Sequence, residues 1–373
     1  MTEPPVVLFR GGAERVGTGK SLFYTTDPAT GEKQSREAVF PTHLEAIHAM
    51  LEALGGTAVD AVAFKVVHAK GVSGVQTLTD EVLAAMEAFN SVAPAHNPPY
   101  LAAIRLFRKA MPGVPLIGAF ETAFHQTMPP EAKLYSIPLA LSRKHDIYRY
   151  GFHGASHEYL SRFAMARLKL PHSRIITCHL GGSGSICAVK DGRSVDTSMG
   201  LGLQCGILNN NRCGDIDPYI IFYLVEECGM TLPEVKTMLQ TQSGFVGLSG
   251  MSDLRDMEEA AAHGDADAAT AIRVYAYGIK KYIGAYIAAL GGVDAIVFGG
   301  GIGTNSARVR ALALDGLDAL GIAADARKNA AGAEEFSADG SPVRLYLAET
   351  NEELIVAEKA KKHLLEIDNP SKI

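Results

Sequence analysis

The chain has 373 residues, 47% of them hydrophobic and 20% charged. That is ordinary for a soluble globular protein and long enough for two domains, each with its own core. A net charge of −6 gives no reason to expect nucleic acid or an anionic membrane as partner, so an anionic substrate must be met by local positive charge.

Along the chain, helix patterns alternate with short β-branched runs, which predicts an α/β architecture. DAVAFKVVHAKG (60–71) reads as a strand ending in a glycine loop, and PLIGAFETAF (115–124) as a buried strand that delivers Glu121 at its end. YGFHGASH (150–157) sets His153 and His157 four apart among small residues. SRIITCHL (173–180) is another buried strand, and CHLGGSGSICAV (178–189) reads as two short strands joined by a glycine-rich tight turn. The clearest amphipathic helix spans about 268–290, with Ile272, Tyr275, Ala276, Ile279, Ile283, Tyr286, Ile287 and Leu290 on one apolar stripe that packs into a core. AIVFGGG (295–301) is a strand running into a glycine turn, after which TNSARVRALAL starts a helix.

The apolar run from Tyr282 to Phe298 is broken by Gly291-Gly292 and Asp294, so it reads as a helix end, a turn and a strand, not a membrane span. No basic-then-apolar signal peptide is visible at the N-terminus. The five cysteines form no CxxC pair, and all lie between Cys178 and Cys228. That pattern fits free thiols in a reducing cytoplasm better than a disulfide framework.

Two stretches carry chemistry. Gly181, Gly182, Ser183 and Gly184 leave the backbone bare, and bare backbone can point several N–H groups at an anion. The same turn is also what a plain hairpin needs. The histidine pair could be a metal site or two hydrogen-bonded structural residues, although no further ligand at a familiar spacing completes a zinc signature. A phosphate cradle beside a histidine cluster suggests phosphoryl transfer.

YGFHGASH, FETAFHQTMP (120–129), SVAPAHNPP (91–99), RCGDIDP (212–218), FGGGIGTNS (298–306) and TNEEL (350–354) together resemble the acetate kinase family, the carboxylate kinases that form acyl phosphates. The resemblance runs from roughly residue 35 to residue 365. It implies an α/β, two-domain duplicated fold shared with sugar kinases and actin, with an interdomain cleft. The expected division is an N-terminal domain over 1–125, completed by a C-terminal helix within 355–373, and a nucleotide-binding domain over 126–354. The internal duplication is not visible in the residues.

A carboxylate kinase must align two anions against their repulsion, so catalysis is positioning plus charge stabilisation. The resemblance implies Arg212 as the active-site arginine, His153 as the histidine that stabilises the transferring phosphoryl group, and Glu121 as the catalytic carboxylate. It assigns substrate binding to Lys65, His96 and Phe152. Nucleotide contacts are expected from His179, Leu180, Gly181, Gly182 and Ser183, from Asp253, Leu254 and Arg255, and from Gly301, Ile302, Gly303, Thr304 and Asn305. Glu352 is the implied partner of Mg²⁺. His157 is expected to be structural.

Several positions depart from the family pattern. The family opens with a strand and an Asn-x-Gly-Ser-Ser-Ser-x-Lys loop, whereas this chain starts MTEPPVVLFRGGAERVG, so that phosphate-contacting hairpin is expected to be missing. The aspartate of FDTAFHQTMP is Glu121, one methylene longer. The arginine of HRVVHGG is Lys65, which keeps the charge but loses the two-pronged grip. GLQCG (202–206) stands for TPLEG, and GGSGS for GNGSS, which removes an asparagine at Gly182.

The resulting expectation is a cytoplasmic, Mg²⁺- and ATP-dependent kinase acting on acetate or propionate, homodimeric, with neither nucleic acid nor membrane as partner. The altered positions leave its catalytic competence open. The alternatives are a non-catalytic descendant that binds a nucleotide or a partner, and a related phosphotransferase with another acceptor or donor.

Overall fold

The computed structural model describes residues 5–368. Internal contacts divide it into two compact units, one built on the chain up to Phe120 and from Glu353 onward, the other on Glu121–Glu352. Residues 369–373 of the expected terminal segment lie outside the described residues.

The first unit begins with an antiparallel sheet of β1 (Arg10–Glu14), β2 (Ser21–Thr26) and β3 (Lys33–Ala38), in that order. Only β2 shows a clear two-residue burial period, with Ser21 and Phe23 inward. A second sheet orders β4 (Val62–Val66), β6 (Leu116–Phe120) and β5 (Val75–Thr77) with β6 in the centre. β4 runs parallel to β6 and β5 antiparallel to it. Every residue of β6 is buried, and the sheet packs with the helices Asp80–Ala88 and Asn97–Ala110 through Phe64, Val66, Leu83, Met86, Leu101, Ile104 and Phe120. Helix His43–Ala53 starts where Thr42 and Glu45 form a capping box, which satisfies two amide N–H groups that the first turn leaves open. The long C-terminal helix Glu352–Asp368 contacts this unit through His363 Nε2, 3.1 Å from Thr77 Oγ1.

The second unit is built on one sheet, ordered β11-β10-β7-β8-β9. Its strands are β7 (Arg174–Leu180), β8 (Gly184–Lys190), β9 (Arg193–Thr197), β10 (Ala295–Gly299) and β11 (Arg344–Leu347). β10 is parallel to both its neighbours, and β7-β8-β9 is an antiparallel meander. Both faces are covered, which is why β7 reads as a continuous apolar run. Ile176, Cys178, Ile186 and Phe298 pack with Ile272, Tyr275, Ile279 and Ile283 of helix Ala266–Leu290. The alternate positions Ile175, Val189 and Val297 pack with Leu160 and Ala164 of helix Gly154–Leu168.

Helix Ala266–Leu290 starts where Asp265 accepts from Ala268 N and stops at Gly291, whose φ is 68°. The expected apolar stripe is buried apart from Ile287, which is only partly so. Each fully buried isoleucine there contributes about 1.5–3 kcal/mol. The helix expected to start near Thr304 begins earlier, at Gly300, and is split into Gly300–Asn305 and Ala307–Leu314. Ser306 causes the break: its hydroxyl takes the Val309 N–H and itself donates to Glu258 at 2.6 Å, so the first helix cannot continue through it. Among the described residues no helix is long and apolar enough to cross a membrane.

Candidate active site

The chemistry-bearing side chains of the second unit converge at Glu121, at the start of helix Gly154–Leu168 and where β7 turns into β8. Glu121 is buried and its Oε2 accepts from the backbone N–H of His153 at 3.1 Å. The Glu121 carbonyl accepts from Gly154 N at 3.0 Å. This double contact needs an unusual backbone. His153 sits in the left-handed region, with φ 57° and ψ 29°, as the residue that opens helix Gly154–Leu168. Gly154 must be glycine, because a Cβ there would collide with the Glu121 carbonyl oxygen. A non-glycine residue held at positive φ beside a buried carboxylate is the strained backbone that functional sites retain.

Four histidines gather behind this turn. The His153 ring stacks on His179 with centroids 4.4 Å apart. Its Nδ1 lies 2.8 Å from Ser185 Oγ, and its Nε2 lies 3.2 Å from Ser183 Oγ in the glycine-rich turn. His157, one helical turn on, bridges Thr177 Oγ1 and Ser185 Oγ, each at 2.7 Å. Burial, reinforced by His125 and His179 nearby, holds its imidazole well below the ordinary value and hence neutral. His125 places Nε2 2.9 Å from the Phe152 carbonyl, which can only accept, so that nitrogen carries the proton. His179 Nδ1 lies 2.7 Å from Ser156 Oγ.

Arg212 lies in the segment between β9 and helix Tyr219–Glu226. It is buried, 8% exposed, whereas Asp215 accepts from Gly206 N and from the Tyr282 hydroxyl. Burial lowers the Arg212 pKa, and the charges of Glu121 and then Cys213 act in the opposite sense. Among the described residues the guanidinium makes one hydrogen bond, from Nη1 to Leu203 O at 3.0 Å. Of the five N–H groups of an arginine, the others are available for a bidentate grip on an oxyanion. Leu203 belongs to the GLQCG segment, so the loop that differs from the family pattern braces the cation. The preceding asparagines tie this segment to the turn: Asn209 Oδ1 accepts from Gly184 N at 2.7 Å, and Asn210 N donates to Gly182 O at 3.0 Å. A side chain at Gly182 would point at the Asn210 amide, 3.5 Å from the Cβ position.

The expected nucleotide segments occupy defined places in the same unit. Leu180 ends β7 and is buried, while Gly181, Gly182 and Ser183 form the turn into β8, with Gly182 exposed. In the parallel pairing of β10 with β7, Gly299 lies opposite His179. Gly301, Ile302, Gly303, Thr304 and Asn305 follow in helix Gly300–Asn305, where Gly303 is buried beside Leu180 and Cys178 of β7. Gly300, at φ 75°, lets the chain pass close over the Leu180 carbonyl. Asp253 caps helix Leu254–Ala262 and holds Arg255 through its carboxylate at 2.6 Å, with Leu254 in the core.

Phe152 is fully buried, with its carbonyl committed to His125. Glu352 opens the C-terminal helix and is partly exposed. Lys65 and His96 belong to the first unit: Lys65 pairs with Ala119 across β4 and β6, and His96 precedes helix Asn97–Ala110. Both are partly buried.

The sequence profile of the acetokinase family matches residues 3–358. The chain belongs to the acetokinase family. An acetate kinase from Shouchella clausii is 41% identical over 364 residues, covering 94% of this chain and 92% of the relative. The crystal structure of the Porphyromonas gingivalis acetate kinase superposes with a TM-score of 0.85 at 36% identity, over 98% of this chain and 95% of that one. A propionate kinase structure from Francisella tularensis gives 0.87 at 33% identity, over 94% and 92%. The fold is therefore the actin-like architecture of the acetate and propionate kinases.

This acetokinase-family site also contains residues that the sequence reading did not single out: Thr177, Ser185, Ser156 and Asn209. The two-residue period of β7 could have found the first. It puts Thr177 on the same face as His179, where a hydroxyl among apolar neighbours needs a partner.

Proposed function

We propose that this protein transfers the γ-phosphoryl group of ATP to a short-chain carboxylate, acetate or propionate, reversibly forming ADP and an acyl phosphate. The observation that carries this reading is the buried, under-used guanidinium of Arg212, set in one unit with Glu121, His153 and the Gly181–Ser183 turn. The names of the relatives, acetate and propionate kinases, support the reaction class.

A carboxylate oxygen attacks the γ-phosphorus as the bond to the ADP oxygen breaks, and no proton is gained or lost. Arg212 neutralises and aligns the two anions. His153 Nε2, beside the turn, donates to an equatorial phosphoryl oxygen. Glu121 holds the His153 backbone and offsets the Arg212 charge. Phe152 walls the acyl group, and for Lys65 and His96 we take the substrate-binding role that the family resemblance implies. His179 to Ser183, Asp253 to Arg255 and Gly301 to Asn305 carry the nucleotide.

Among the described residues no group of three or more His, Cys, Asp or Glu is placed to hold a metal. Magnesium in nucleotide sites is held by one or two carboxylates together with phosphate oxygens and water, and Glu352, a partly exposed carboxylate at the start of its helix, fits that limited demand. When bound, Mg²⁺ neutralises phosphate charge. We further propose a cytoplasmic homodimer. Helix Tyr219–Glu226 (YIIFYLVE) buries none of its residues, and Tyr219, Phe222 and Tyr223 are more than half exposed; a second copy would cover them.

The test of the reaction is acyl-phosphate formation from acetate and from propionate with Mg·ATP, read by hydroxamate trapping. Product that depends on acid, ATP and Mg²⁺ together is the expected result. Nucleotide binding with no product from any short acid would refute it.

A further inference from the structure

A serine hydroxyl has one proton, and Ser185 faces two imidazoles. Its Oγ lies 2.8 Å from His153 Nδ1 and 2.7 Å from His157 Nε2. Both rings cannot accept from one O–H, so one of them must donate to Ser185. His157 is fully buried and neutral and carries one N–H. Its other nitrogen, Nδ1, lies 2.7 Å from Thr177 Oγ1. If both rings donated, the proton of the fully buried Ser185 would be stranded, so the four groups Thr177, His157, Ser185 and His153 form a single file through which the hydrogen bonds run one way or the other.

The two directions are not equivalent. In the first, Thr177 donates to His157 Nδ1, His157 Nε2–H donates to Ser185, and Ser185 donates to His153 Nδ1. Every hydroxyl proton has an acceptor, and the His153 proton sits on Nε2. In the second, His153 Nδ1–H donates to Ser185, Ser185 to His157 Nε2, and His157 Nδ1–H to Thr177. The Thr177 hydroxyl proton is then stranded. Thr177 is fully buried on β7, and among the described residues its hydroxyl meets His157 alone. A buried donor without an acceptor favours the first direction by roughly one to two orders of magnitude.

We propose that Thr177, His157 and Ser185 act as positioning residues that lock His153 in the tautomer with its proton on Nε2. That nitrogen is the one facing Ser183 in the glycine-rich turn, at 3.2 Å. The consequence rests on the kinase reading: with the proton on Nε2, His153 offers a donor to a phosphoryl oxygen, whereas the other tautomer would present a lone pair to it. The close spacing of His153, which opens the helix, and His157, in its first turn, gains a purpose, because His157 is the relay that the threonine acts through.

The test is ¹⁵N-resolved NMR of the histidine side chains in the full-length protein without substrate at about pH 8, with His153 assigned by its loss in His153→Gln. The expected spectrum shows His153 protonated at Nε2 and bare at Nδ1. A proton on Nδ1, or an even mixture, overturns the proposal. Thr177→Val should turn His153 into a mixture and lower kcat several-fold with KM for both substrates unchanged, and Thr177→Ser should restore both readouts. An unchanged tautomer and kcat in Thr177→Val also overturns it. The locked tautomer in a protein that makes no acyl phosphate would uphold this assignment and refute the kinase reading instead.

Discussion

Arg212→Lys separates charge from geometry at the proposed clamp. The guanidinium is 8% exposed and commits one N–H to Leu203 O at 3.0 Å. Lysine keeps the charge but replaces a planar fork by a single ammonium. Losing a charge-stabilising donor of this kind costs about 10²–10³ in kcat, or about 2.7–4 kcal/mol. The structural loss is one hydrogen bond, about 0.5–1.5 kcal/mol, so the variant should fold with a urea midpoint close to that of the parent. A second signature follows from burial, which lowers the Arg212 pKa. An arginine stays charged regardless, but a lysine starts near 10.4 and is pushed down by the same burial. Its charged form is then lost as pH rises. The residual activity of Arg212→Lys should therefore decline between about pH 7 and 9, where the parent shows no such loss from this group. Hydroxamate trapping at saturating Mg·ATP and acetate measures both effects. Activity within a few-fold of the parent, with no alkaline decline, would refute the clamp.

Glu121→Gln keeps an oxygen to accept the His153 N–H and removes the charge that offsets Arg212; turnover should fall about tenfold or more with the fold intact, and unchanged turnover would show that the charge is idle. Gly154→Ala puts a methyl into the Glu121 carbonyl, and should destabilise by about 1–3 kcal/mol in urea unfolding while lowering kcat. For His157 the folded pKa lies below the unfolded value of about 6.5. As pH falls below that value the unfolded chain takes up the proton first, so stability present above it is lost toward the folded pKa, with a slope of up to about 1.4 kcal/mol per pH unit. Urea midpoints between about pH 5 and 8 should show this slope, and His157→Gln should remove its share; an unaltered slope would count against a neutral His157.

The sheet of the second unit was legible because β7, β8 and β10 are buried on both faces and read as apolar runs, and helix Ala266–Leu290 because its stripe from Ile272 to Leu290 holds over about five turns. β1 and β3 were not legible. β3 is KQSREA, almost wholly exposed, and has no apolar alternation to detect. The break at Ser306 was missed because it depends on a hydroxyl that also reaches Glu258 in a separate helix. In the site, His153 and Arg212 came from their motifs, but the burial of Arg212 did not. NNNRCGDIDP reads as a polar surface loop, yet Phe245 N and Val246 N clamp its backbone through Asn209 O at 3.0 Å and Asn210 O at 2.9 Å. Thr177 and Ser185 stayed hidden because their partners, His157 and His153, lie on or at the start of a helix distant in sequence.

The proposed kinase requires Glu121, His153 and Arg212 to work together despite the altered positions around them. Steady-state hydroxamate trapping with acetate and propionate, run alongside calorimetry with Mg·ADP on the same preparation, tests it most directly. The expected result is nucleotide binding together with acyl-phosphate formation that requires Mg²⁺ and is lost in Arg212→Lys. Nucleotide binding without any acyl phosphate, from either acid at any pH between about 6 and 9, would contradict it and make the chain a non-catalytic member of its family.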